Sequence, residues 1–167
     1  MPLVYLILGG NRGNVVEIFS TAIELVTSKI GQKIAISARY GSESWGFASE
    51  SFINQVIIIN TALSPTEVLE QTQQIESLLG RIRRTAGYEA RTMDIDLLYY
   101  GSTVLNCAIL TIPHPRIAQR RFVLVPLAEI APDKKDPLTG ITVQEMLQRC
   151  TDPLKVWQLT DNQLETD

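Results

Sequence analysis

Ser64-Pro65-Thr66-Glu67-Val68-Leu69-Glu70-Gln71-Thr72-Gln73-Gln74-Ile75-Glu76-Ser77-Leu78-Leu79-Gly80 is the stretch whose reading decides the fold. A cap residue, a first-turn proline and a capping-box glutamate stand in order at its start. Gly80 stands at its end as a stop signal, so the stretch predicts a helix from about Pro65 to Leu79. On its upstream side Phe52–Ala62, centred on Val56-Ile57-Ile58-Ile59, reads as a strand; on its downstream side Asp94-Ile95-Asp96-Leu97-Leu98-Tyr99-Tyr100, ended by Gly101, reads as another.

The same pattern recurs nearer the N-terminus. Leu3–Leu8 is an apolar strand that breaks at the turn-rich Gly9-Gly10-Asn11-Arg12-Gly13-Asn14. A helix capped by Asn14 follows, with apolar residues at Val15, Ile18, Phe19, Ala22, Ile23 and Val26, and Gly31 lies beyond its end. Lys33–Tyr40 alternates, with Ile34, Ile36, Ala38 and Tyr40 on one face, and predicts a further strand before a long loop at Gly41–Ser51. The order β-α-β-β-α-β predicts an α+β fold with a ferredoxin-like core, a mainly antiparallel sheet and helices packed on both sides in three α/β/α layers. Val123–Ile130 and a segment opened by a second capping box, Thr142-Val143-Gln144-Glu145, supply additional helices.

A chain of 167 residues suffices for one well-cored domain and is short for two, so residues 1–167 are expected to form a single domain with its core over about 3–150 and a frayed tail over about 161–167. With 45% hydrophobic and 20% charged residues and a pI near 5.2, the chain belongs to the globular class. No apolar run approaches the roughly 18 residues of a membrane span, and Met1–Leu8 lacks the basic start of a signal peptide. The expectation is a cytoplasmic protein that engages no membrane. Two cysteines without paired spacing fit reduced thiols, and a single histidine, His114, excludes a His-based metal cluster.

Chemistry concentrates after Gly80. Arg81, Arg83, Arg84 and Arg91 stand against the single acid Glu89, a local charge of about +3 in a protein of net charge −3. Asp94 and Asp96 follow, and residues i and i+2 of a strand share a face. Arginine pairs its planar fork with phosphate, and Mg²⁺ takes one or two carboxylates plus phosphate oxygens and water, so the juxtaposition points to a polyphosphate with a divalent metal. The plainer alternative is a strand edge salt-bridged to Arg81 or Arg91. Seven of the ten arginines fall between 81 and 121, which suggests two walls of one anionic site, with His114 between prolines either in that wall or packing a loop. Phe52 and Asn54 share a strand face: a flat heterocycle would use ring and amide together, whereas a core aromatic and a strand-end hydrogen bonder is the plainer reading. The glycines at 9–13 fit neither a Walker loop nor a dinucleotide fingerprint; a tight turn is the plainer reading, and a nucleotide must be gripped by side chains.

Leu8-Gly9-Gly10-Asn11, Trp45-Gly46-Phe47, Phe52-Ile53-Asn54, Gly80-Arg81-Ile82-Arg83, Arg91-Thr92-Met93-Asp94-Ile95-Asp96, Pro113-His114-Pro115 and Pro126-Leu127-Ala128-Glu129-Ile130-Ala131-Pro132 together resemble hydroxymethyldihydropterin pyrophosphokinases of the folate pathway. The resemblance implies an α+β sandwich with a cleft closed by mobile loops near 9–14, 41–51 and 82–91. It implies transfer of the β,γ-pyrophosphoryl group of ATP to the hydroxymethyl of 6-hydroxymethyl-7,8-dihydropterin, leaving AMP, in a monomer whose partners are these small molecules and not nucleic acid. By position, Asp94 and Asp96 resemble the ligands of two Mg²⁺ ions, and Arg81 and Arg91 the charge-stabilising catalytic arginines. Arg83, His114 and Arg120 resemble further phosphate contacts; Gln73, Glu76, Leu97, Thr111 and Tyr88 resemble the nucleotide side. Ser42, Trp45, Phe52, Asn54 and Phe122 resemble the pterin pocket, with Phe52 and Phe122 sandwiching the ring. Tyr88, Ala90, Ser44 and Pro115 depart from residues common in the family.

Two other readings compete. An RNA-recognition module shares the β-α-β-β-α-β order, but its central-strand aromatic motif is missing and the chain is acidic. A different Mg-dependent nucleotidyl or phosphoryl transferase would use the same Asp pair, and release of AMP rather than ADP or free pyrophosphate separates the two.

Overall fold

The computed structural model describes residues 1–11, 15–43, 52–85 and 93–160. The expected order is present: β1 (Leu3–Asn11), α1 (Val15–Lys29), β2 (Gly31–Ile36), β3 (Tyr40–Ser42), β4 (Phe52–Thr61), α2 (Pro65–Thr85) and β5 (Asp94–Tyr100). A short hairpin of β6 (Leu105–Asn106) and β7 (Thr111–Ile112), a 3-10 turn at Ile117–Gln119, α3 (Arg121–Ile130), α4 (Val143–Arg149) and β8 (Val156–Gln158) complete it. The main sheet runs β5-β1-β4-β3-β8, with β2 also paired to β4, and every pairing in it is antiparallel.

Strand alternation sorts the core onto two faces. Leu6, Leu8, Ile57 and Ile59 pack with Phe19, Val26, Val68, Ile75 and Leu79 of α1 and α2. Tyr5, Ile7, Val56 and Ile58 pack with Val123, Leu124 and Leu127 of α3 and with Val143 and Met146 of α4. The result is the three-layer α+β arrangement with a ferredoxin-like core. The first capping box forms in full, the Glu67 N–H donating to the Ser64 hydroxyl at 3.2 Å and the Ser64 N–H to the Glu67 carboxylate at 3.0 Å; of the second only the Thr142 cap forms, its hydroxyl accepting from the Glu145 N–H at 3.2 Å, while the Glu145 carboxylate pairs with Arg149 at 3.6 Å.

Four details differ from the sequence reading. β1 does not stop at Leu8: Gly9 pairs with Asn54 on one side and Asp94 on the other, and this double ladder outweighs the roughly 0.5–1 kcal/mol that a strand glycine costs. The predicted strand over 33–40 is split. A register shift between Lys33 and Ala35 leaves Ile34 51% exposed, and at the gap the Ser37 hydroxyl replaces a ladder partner, accepting from the Val56 N–H at 2.9 Å. α2 passes through Gly80 to Thr85, because a helical glycine costs only about 1 kcal/mol and the Arg81-Ile82-Arg83-Arg84 that follows favours helix. Finally β8, which lies beyond the expected core, adds an edge strand to β3, where the Trp157 indole covers Gly41 so closely that a Cβ there would meet it at 2.6 Å. Of the expected loops, residues 12–14, 44–51 and 86–92 lie outside the described residues.

Candidate active site

The strand registers place Asn54, Gly9 and Asp94 in one row across β4, β1 and β5, and Val56, Ile7 and Asp96 in the next. Directly paired residues share a face, so both aspartates and Asn54 lie on the α3 side of the sheet. A bulge in β5 opposite Tyr5 and Leu6 resets the alternation after Asp96, so that Leu98 and Tyr99 both join the core on that face. The N-terminal end of α3 and the segment before it form the facing wall. Together they enclose a cavity of about 310 Å³ lined by Ser42, Phe52, Asn54, Asp94, Asp96, His114, Arg120 and Phe122.

One end of the cavity is built for a flat, polar-edged molecule. Phe52 is 44% exposed at the mouth, which leaves a ring face open, and Phe122 enters from α3. Asn54 is only 5% exposed, and its amide nitrogen has no hydrogen-bond partner. A buried donor left unpaired costs about 1–3 kcal/mol, which a ligand acceptor would recover.

The other end is built for charge. Burial raises the Asp94 pKa, and Asp96 raises it further. Glu76 of α2 does not line the cavity but accepts from the Ile95 N–H, between the two aspartates, at 3.2 Å; burial, and then Asp94 and Asp96, push its pKa up against that hydrogen bond. His114 is anchored by its N–H on the Leu98 carbonyl at 3.0 Å, and its Nδ1 accepts from the Arg116 N–H at 3.2 Å. Its Nε2 is therefore the nitrogen left to face a ligand. Burial lowers its pKa, with Asp96 opposing and Arg120 and Arg116 assisting. The Arg120 guanidinium stands 5.6 Å from the Phe122 ring centre, while Arg121 is committed to structure through Asp152 and the Cys150 carbonyl.

Among the described residues neither aspartate has an ion-pair partner, and no group of three or more His, Cys, Asp or Glu forms a closed metal cage. Two carboxylates on one face with the other positions left open fit Mg²⁺, which takes its remaining oxygens from phosphate and water.

The remaining expected residues lie elsewhere. Gln73 is exposed on α2, Leu97 is buried on the opposite face of β5, and Thr111 is exposed on β7, its hydroxyl 3.4 Å from the Asn106 side chain. None of the three lines the cavity. Arg81 and Arg83 belong to the last turns of α2, and Trp45, Tyr88 and Arg91 lie outside the described residues. Sequence reasoning missed Glu43 and Leu154, which also line the cavity. The Glu43 carboxylate accepts from the Lys155 N–H at 2.7 Å, a pairing over 112 positions that no local pattern announces.

A family model described as 7,8-dihydro-6-hydroxymethylpterin-pyrophosphokinase matches residues 5–132. The chain is 40% identical over 151 residues to the 2-amino-4-hydroxy-6-hydroxymethyldihydropteridine pyrophosphokinase of Synechocystis sp., covering 90% of this chain and 76% of that one. It is 38% identical over 136 residues to the protein of the same description from Porphyromonas gingivalis, covering 79% and 92%. A crystal structure of wild-type Plasmodium falciparum HPPK-DHPS superposes with a TM-score of 0.72 at 16% identity, over 89% of this chain and 44% of that longer one. The chain thus spans under half the length of that solved structure, and the likeness to it concerns the fold.

Proposed function

The chain belongs to the 7,8-dihydro-6-hydroxymethylpterin-pyrophosphokinase family, and from that membership we propose how its cavity carries out the reaction. It is a pyrophosphokinase of folate biosynthesis with ATP as co-substrate. The pterin lies between Phe52 and Phe122, with Ser42 and the Asn54 amide at its edge and Trp45 as a further residue of the pocket. Its hydroxymethyl arm points toward Asp94 and Asp96. The triphosphate lies over the aspartates, met by Arg81, Arg83, Arg91, His114 and Arg120, with Glu76 and Tyr88 toward the nucleoside.

Asp94 and Asp96 would hold two Mg²⁺ ions, which when bound neutralise phosphate charge and draw the triphosphate oxygens together. The side chains then position two reactants and compensate charge, so that the hydroxyl oxygen attacks the β-phosphorus and AMP leaves. No strong general base is needed beside such a site, because transfer of this kind depends chiefly on alignment and electrostatics. We further assign it to the cytoplasm as a monomer acting on small molecules; among the described residues no helix is long and apolar enough to cross a membrane.

The observation that carries this reading is the unpartnered Asn54 amide nitrogen in the same cross-strand row as Asp94. The test is mass detection of products from ATP, Mg²⁺ and the pterin. Pterin diphosphate and AMP in equal amounts are expected; ADP with a pterin monophosphate would replace the reading by simple kinase chemistry.

A further inference from the structure

The row Asn54, Gly9, Asp94 has a gap at its centre. Gly9 is hydrogen-bonded into strands on both sides, where a β-branched or aromatic residue would be the ordinary choice. A side chain there would emerge on the cavity face, between the amide and the carboxylate. A Cβ built on Gly9 comes within 2.9 Å of the Asn54 Oδ1, closer than real Cβ contacts allow, and its next nearest neighbour is the Asn54 Cγ at 4.0 Å. The clash is therefore with one carboxamide. Gly10 behaves differently: a Cβ there meets Met93 and Phe19 at an ordinary 3.7 Å on the opposite face.

We propose that Gly9 is a specificity-determining residue of the pterin end: its missing side chain seats the Asn54 carboxamide that reads the substrate's ring. This rests on the pterin assignment above. The two ends of the row are two inter-strand spacings apart, about 9.5 Å between strand axes, and only backbone lies between them. The amide that reads the ring and the carboxylate that serves the phosphates are thus joined by a rigid ladder with nothing standing on it. A methyl group at Gly9 would turn the Asn54 amide from its seat, so pterin recognition suffers while the nucleotide end is untouched.

The experiment compares Gly9→Ala, Asn54→Ala and their combination by steady-state kinetics and by calorimetry with the pterin and with an unreactive MgATP analogue. Gly9→Ala is expected to raise the pterin KM at least tenfold and leave analogue affinity within twofold. Because Gly9 acts through Asn54, the double variant should bind pterin no more weakly than Asn54→Ala alone. If Gly9→Ala fails to fold, the double variant, in which the clashing carboxamide is gone, still decides the matter by that comparison. Unchanged pterin binding in Gly9→Ala, additive losses in the double variant, or equal losses for both ligands would each overturn the proposal. Absence of pterin diphosphate with the parent protein would instead remove the functional reading beneath it.

Discussion

Replacing Asp94 or Asp96 by Asn keeps the shape of the side chain and removes the charge on which a cation at this face depends. Each change is expected to lower turnover by about 10² or more, roughly 3 kcal/mol in the barrier, with an unchanged circular dichroism spectrum. Full activity at ordinary magnesium would detach the pair from the chemistry. Asn54→Ala is expected to weaken pterin binding by about 1–3 kcal/mol and leave ATP binding nearly unaltered, because the lost group is a buried donor held for a ligand. Parallel losses in calorimetric titrations of both ligands would make Asn54 a structural residue. The aspartate pair was legible in the sequence because its spacing of two carries its own geometry. Gly9 was not: its position between Asn54 and Asp94 exists only once three strands distant in sequence are in register, and read locally two glycines before an asparagine look like a turn.

Elements were legible where their signals are local. Both helix caps formed where the residue order placed them, and the Ser64–Glu67 capping box has a measurable pH signature. The Ser64 N–H and hydroxyl hold the Glu67 carboxyl below its ordinary pKa. A depressed carboxylate contributes stability that is complete above its unfolded-state pKa and is lost as pH falls through the lower folded value. The melting difference between the parent protein and Glu67→Ala should thus be largest near neutrality and shrink as the pH falls through and below the ordinary carboxylate range; a difference independent of pH would show that the carboxylate's charge takes no part. Boundaries set by distant partners were less legible. The split between β2 and β3 depends on the Ser37 hydroxyl, which accepts from the buried Val56 N–H and donates to the Ala38 carbonyl at 2.7 Å. Ser37→Ala should destabilise the fold by about 1–3 kcal/mol in urea titrations, since the Val56 N–H would lose its partner. A cost near zero would mean that the gap closes by itself. Gly80 misled for a related reason: glycine ends a helix only where the chain turns away after it, and here the helix continues.

Across the molecule, the C-terminal strand ties the rim of the cavity to the sheet. β8 pairs with β3, Trp157 covers Gly41, Asp152 accepts from the Arg121 N–H at 3.0 Å, and Leu154 lines the cavity. Truncation after Cys150 is therefore expected to lower the melting temperature by several degrees and to raise the pterin KM; a truncated chain with parental values for both would reduce β8 to an appendage. On the far side of the same wall, Glu129 of α3 accepts from the Tyr40 hydroxyl at 2.5 Å and the Ala38 N–H at 3.1 Å, bracing β3 against the helix that carries Phe122. The layer order was legible from the succession of elements, whereas β8 was not, because three residues of mixed polarity near a chain end carry no signal until an edge receives them. Among the described residues β4 alone pairs with three other strands, β1, β2 and β3. Its amide protons can therefore reach solvent only when the whole sheet opens, and those of 56–59 should be the last in the protein to exchange with deuterium. Substrate recognition through Asn54 is thereby mounted on the slowest-breathing part of the chain, so local fluctuations that loosen the rim leave the reading surface in place.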